Sequence, residues 1–209
     1  MRTKAWFFIG ALGLAGVAAA AAASESLQHY EEPAYKTELE DGAFELRSYP
    51  AVIAASVQVA GNGDGAANNA FKILAGYIFG KNKAQKKIAM TAPVVQETSE
   101  KIAMTVPVTV EKLNMSMTMS FYMPSKYTLQ SLPEPLDKRI KLSQVPPRKF
   151  AVLRFSGFAT EGSCVLKEVE LKRWMAARKL EQTGESMRAF YNPPWTLPFL
   201  RRNEIWIPL

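Results

Sequence analysis

Lys87-Ile88-Ala89-Met90-Thr91-Ala92-Pro93-Val94 returns further along the chain as Lys101-Ile102-Ala103-Met104-Thr105-Val106-Pro107-Val108. Between the copies runs the polar stretch Glu97-Thr98-Ser99-Glu100. Two near-identical β-type segments joined by a short polar link predict a hairpin or its extension. Each copy contains a proline, which has no amide to give to a ladder, so each must pass an edge or a bulge there. Asn114 to Met123 follows, alternating Met with Ser or Thr before Phe121-Tyr122, and reads as another strand.

Upstream of the first copy the pattern is also β-like. Thr37 to Leu39, Phe44 to Arg47 and Ala51 to Val59 are short alternating runs, punctuated by Asp41-Gly42 and Tyr49-Pro50. Gly61 to Gly65 is a glycine-rich loop ending in a candidate helix cap, Asp64. Ala66 to Phe79 reads as a helix stopped at Gly80. Its Ala70, Ile73, Leu74 and Tyr77 form a stripe suited to a sheet, and Asn68, Phe71, Lys72, Ala75 and Phe79 form a second, unusually apolar side. Downstream the plan repeats. Arg139 to Gln144 and Lys149 to Phe155 are strands around Val145-Pro146-Pro147, and Glu161 to about Leu180 is a helix with Leu171, Trp174 and Met175 inward. Met187 to Tyr191 is a strand, Asn192 to Leu200 a loop rich in proline and aromatics, and Asn203 to Leu209 a closing strand. Strands, helix, strands, twice over, predicts an α+β domain with pseudo-twofold organisation.

The chain has 209 residues, 48% of them hydrophobic and 22% charged, enough for one sizeable core. Arg2 and Lys4, the uncharged run Ala5 to Ala20, and Ala21-Ala22-Ala23 before Ser24 have the order of a secretory signal. Residues 1–23 are therefore read as a cleaved signal directing export, to the periplasm or the outside, and residues 24–34 as an N-terminal tail. The competing reading is a retained membrane anchor, since the run approaches the roughly 20 residues that cross a bilayer. Without Arg2 and Lys4 the chain carries 24 basic against 19 acidic residues, a net charge of +5. That excess falls in separate short clusters, not in the continuous stripe of a nucleic-acid footprint. Cys164 is the only cysteine, so no intramolecular disulfide forms, and a small buried side chain is its expected role.

Catalytic patterns are missing. His29 is the only histidine and lies in the polar tail, and the sequence has no HExxH, CxxC or phosphate-binding GxGxxG. The sequence thus points away from an enzyme. The doubled Lys-Ile-Ala-Met-Thr-x-Pro-Val, Ser120 to Tyr127, Val152 to Phe158, and Tyr191-Asn192-Pro193-Pro194-Trp195 with Arg201-Arg202-Asn203-Glu204 together resemble the SOUL heme-binding family. The resemblance covers about Tyr35 to Leu209. It implies a distorted antiparallel β-barrel flanked by two helices, binding heme or a related tetrapyrrole reversibly in an apolar cleft between the first helix and the loop before the last strand.

Carried over position by position, the cleft comprises Asn68, Phe71, Ala75 and Gly76 on the helix, next to Lys72. On the loop it comprises Tyr191, Pro194, Trp195, Thr196 and Leu197, with Phe199 nearby. Aromatic faces suit a flat porphyrin, and Lys72, Arg201 and Arg202 are candidate partners for its propionates. The sequence departs from the family in two places. Ser48, in Glu45-Leu46-Arg47-Ser48-Tyr49, stands where a histidine-using branch has its iron ligand, and Asn68 and Gly76 replace basic residues of another branch. The axial ligand is thus absent, a Met or Tyr, or from another chain. The alternative function is a module for another hydrophobic small molecule or a protein partner, without iron.

Overall fold

The computed structural model describes residues 30–100 and 115–209, and Glu31–Leu209 forms one compact unit. Among the described residues nine strands make a single antiparallel sheet: β1 (Lys36–Asp41), β2 (Phe44–Tyr49), β3 (Val52–Ala60), β4 (Val94–Glu100), β5 (Met115–Tyr122), β6 (Lys141–Val145), β7 (Arg148–Phe155), β8 (Met187–Phe190) and β9 (Asn203–Pro208). Two helices accompany it, α1 (Asp64–Ile78) and α2 (Glu161–Ala177). The sheet order is β1-β2-β7-β9-β8-β4-β5-β3-β6.

That order is a palindrome once β1 is set aside. Exchanging β2 with β6, β3 with β7, β4 with β8 and β5 with β9 maps the order onto itself reversed, so each half's first strand pairs with the other half's second. The β4–β8 pair joins the halves. Each helix covers the same two strands of its own half, α1 over β3 and β5, and α2 over β7 and β9. Leu74 and Tyr77 of α1 pack on Val57, Met117, Met119 and Phe121, and Leu171 and Met175 of α2 pack on Ala151, Leu153, Ile205 and Ile207. The α+β architecture and its pseudo-twofold plan agree with the sequence reading.

Local chemistry explains where the boundaries differ. Gly63, not Asp64, takes the cap position of α1, and Asp64 becomes the first helical residue, where its carboxylate faces the positive end of the helix. At the other end Gly80, at φ +113°, closes α1: its amide donates to Tyr77 and that of Lys81 to Gly76, satisfying carbonyls the helix leaves unpaired. Helix α2 starts under a Thr160 cap, whose hydroxyl accepts from the Ser163 amide at 3.2 Å, and ends at Ala177. Strand β6 begins at Lys141 because Asp137 holds the amide and guanidinium of Arg139 in a tight turn.

The doubled motif needs correction. Thr91 in the first copy makes only an isolated bridge, to Glu31, and regular strand begins at Val94. The supposed polar link is itself strand, because Glu97 to Glu100 extend β4 along β5 from Thr118 to Met115. The second copy lies outside the described residues, as do His29 and the expected signal. Among described residues, no helix is long and apolar enough to cross a membrane.

Candidate functional site

The loop between β8 and β9 presents the largest apolar side chains to solvent. Trp195 is 79% exposed, Phe199 71% and Leu197 56%, with Leu200 also outward and Phe158, from the connection between β7 and α2, exposed as well. Burying one such aromatic contributes about 1.5–3 kcal/mol, so leaving several in water is costly unless something covers them.

The loop is held in shape by the arginines the sequence offered as propionate partners. Arg201 donates from Nε to the Thr196 carbonyl at 2.7 Å and from Nη2 to the Pro194 carbonyl, and its guanidinium sits 5.2 Å from the centre of the Phe158 ring. Arg202 is committed more deeply. It pairs with Glu32 at 3.0 Å and Glu204 at 2.9 Å while lying 3.7 Å over the Tyr191 ring. Tyr191 is buried and gives its hydroxyl to Glu204 at 2.8 Å. The base of the loop is thus a packed polar network, and its tip carries the exposed rings.

On α1, Asn68 and Lys72 face outward, and Lys72 makes no ion pair among the described residues. Phe71 is 39% exposed but also meets Phe121 edge-on at 5.5 Å, so it belongs partly to the core. Ala75 turns inward to join the buried residues, and Gly76 has the Lys81 side chain 3.1 Å from where a Cβ would stand. Among the described residues no hydrogen bond, ion pair or ring contact joins this helix face to the loop. The structure gathers Tyr191, Pro194, Trp195, Thr196, Leu197, Phe199, Arg201 and Arg202 on one element, and Asn68, Phe71, Lys72, Ala75 and Gly76 on another.

One polar centre was not read from the sequence. Arg47 and Glu204 are both fully buried and bond at 2.9 and 3.1 Å, with Glu45 adding two further contacts to Arg47 at 2.8 Å and the Trp206 indole donating to Glu204 at 2.7 Å. Burial alone would raise the Glu204 carboxyl, yet Arg47 and Arg202 hold it below the usual carboxylate range. A signal was present: charged residues within the apolar strands Phe44 to Tyr49 and Asn203 to Leu209. Ser48, the position of the family's alternative iron ligand, donates instead to Glu38 at 2.6 Å.

As a class, the architecture is a two-helix, pseudo-twofold antiparallel sheet shared with solved structures of remote sequence. It matches the crystal structure of the EcmrR C-terminal domain with a TM-score of 0.59 at 12% identity, over 83% of this chain and 96% of that one. It matches an uncharacterized conserved protein from Listeria innocua at 0.56 and 14%, over 79% and 91%. These similarities concern the fold alone. The chain belongs to the SOUL heme-binding protein family, whose sequence signature spans residues 30–208. Relatives include Heme-binding protein 2 of Mus musculus, 26% identical over 86% of both chains, and Heme-binding protein 2 of Homo sapiens, 29% identical over 90% of both.

The residues present suit a tetrapyrrole in one respect and not in another. Trp195, Leu197 and Phe199 offer a water-facing apolar platform, and Lys72 is an exposed cation with no ion pair among the described residues. No iron ligand stands out among the assigned positions, because the Tyr191 hydroxyl belongs to Glu204 and Ser48 to Glu38.

Proposed function

We propose that this protein binds heme or a related tetrapyrrole reversibly and without catalysis, outside the cytoplasm. Family membership supports the ligand class, and the exposed Trp195-Leu197-Phe199 tip on its arginine-braced loop is the observation that carries the site. The platform takes the porphyrin face, Lys72 and the remaining Nη1 of Arg201 meet propionates, and iron coordination contributes little. Titration with hemin tests this: a Soret shift saturating near one per chain is expected, and no saturable shift refutes it. Metal-free protoporphyrin binding about as tightly as hemin supports the lesser role of iron. Equal capture of unrelated apolar dyes supports instead a generic hydrophobic site.

Export is part of the same proposal. Intact-mass and N-terminal analysis of protein from its native host should find Ser24 as the first residue, whereas a chain retaining residues 1–23 indicates a membrane anchor.

A further inference from the structure

A cavity of about 500 Å³ is lined by none of the residues assigned to the tetrapyrrole, although its Glu32 pairs with Arg202 at the base of the β8–β9 loop. It is bounded by the N-terminal segment Glu31 to Ala34, the β2–β3 connection and the chain after β5. Its size is that of small-molecule pockets generally. Tyr122 and Met123 are buried in its wall, with Pro33, Ile53, Tyr127 and Leu129 adding apolar surface. The segment that bounds it is anchored: Glu31 accepts the Ala92 amide on its carbonyl at 3.0 Å and the Ser125 amide on its side chain at 2.7 Å.

The charge of the lining is one-sided. Among the described residues Glu31 and Glu32 are the only carboxylates in the lining, and no Lys or Arg contributes. Glu32 is paired with Arg202, which it shares with Glu204. Glu31 has no ion pair among the described residues; the nearby Lys126 places its ammonium 5.3 Å over the Tyr127 ring and acts on the Glu31 carboxylate only from beyond salt-bridge distance. The Ser125 hydrogen bonds hold the Glu31 carboxyl below the usual range, so it is ionised at neutral pH. An anionic ligand such as a tetrapyrrole dicarboxylate would meet this charge with no Lys or Arg among the lining residues, though Lys126, between Ser125 and Tyr127, offsets part of it.

We infer that this cavity is a second binding site, for a small organic cation with an aromatic body, such as a quaternary aryl-ammonium, seated against the tyrosines with its charge toward Glu31. The test uses the full chain and phenyltrimethylammonium, with tert-butylbenzene as the neutral isostere and benzoate as the anion, followed by saturation-transfer NMR and calorimetry. The cation is expected to saturate at one per chain and to bind about fivefold or more tighter than the isostere, with benzoate weakest. Glu31→Gln, which keeps an acceptor for Ser125, should erase the preference for charge, and Leu129→Trp should block cation and isostere alike. The inference fails if the isostere binds as well as the cation, if Glu31→Gln leaves the preference intact, or if folded wild-type protein binds neither. Hemin titrated in parallel reads the other surface, so failure at one site is distinguishable from failure at the other.

Discussion

Glu204 shows how a single residue can organise a fold from within a strand. It accepts from Arg47, Tyr191, Arg202 and Trp206, so four side chains from β2, β9 and the loop end on one carboxylate. Removing one partner of a buried pair strands the other, at a cost of about 3–5 kcal/mol. Glu204→Leu should therefore lower the urea-unfolding free energy by about that amount, and a loss under 1 kcal/mol would show that Glu45 alone satisfies Arg47. The sign of the pH effect follows from the depressed carboxyl. Stability from Glu204 is fully present above its ordinary value of 4.5 and is lost as pH falls through the lower folded value. Glu97 is the opposite case. Burial chiefly raises its carboxyl, so keeping it ionised at pH 7 costs stability, and Glu97→Gln should raise the thermal midpoint at pH 7 with the gain vanishing in acid. Neither role was legible in the sequence, because partnership between Glu45, Arg47 and Glu204 depends on β2 and β9 both lying beside β7.

Elements were legible where side-chain periodicity or a backbone constraint acts locally. The apolar stripe of α1 and the glycine at its end place the helix to within two residues, since Gly80 adopts the left-handed conformation expected of it. Residues Glu97 to Glu100 were misread because polar composition suggests a link, whereas pairing with β5 makes them strand. Helix α2 has a weaker pattern because Val165, Leu166 and Val169 face water opposite the buried Leu171. Its start rests on the Thr160 cap, so Thr160→Ala should cost about 1 kcal/mol in chemical denaturation, with no effect on hemin affinity. The β8–β9 loop behaves in the reverse way. Its tip touches little, so Trp195→Ala should leave the thermal midpoint nearly unchanged.

For the whole molecule, the repeated order of strands and helices was readable, but not the reciprocal pairing of β2 with β7 and β3 with β6 that locks the halves together. Such pairing joins segments about a hundred residues apart, and no local pattern encodes it. The candidate site divides in the same way. The aromatic loop was visible as composition, while the arginines' attachment to the loop carbonyls and to Glu32 and Glu204 emerged only from the fold. The central claim is that the tetrapyrrole is held by apolar contact at this loop and not by a histidine–iron bond. The direct measurement is hemin affinity from the Soret shift for wild type, Trp195→Ala and His29→Ala. Losing one buried aromatic contact of about 1.5–3 kcal/mol predicts a one- to two-order weakening for Trp195→Ala, while His29→Ala changes affinity by less than about threefold. Abolition of the shift by His29→Ala, with Trp195→Ala binding as wild type, would contradict the account and make the N-terminal segment the ligand arm.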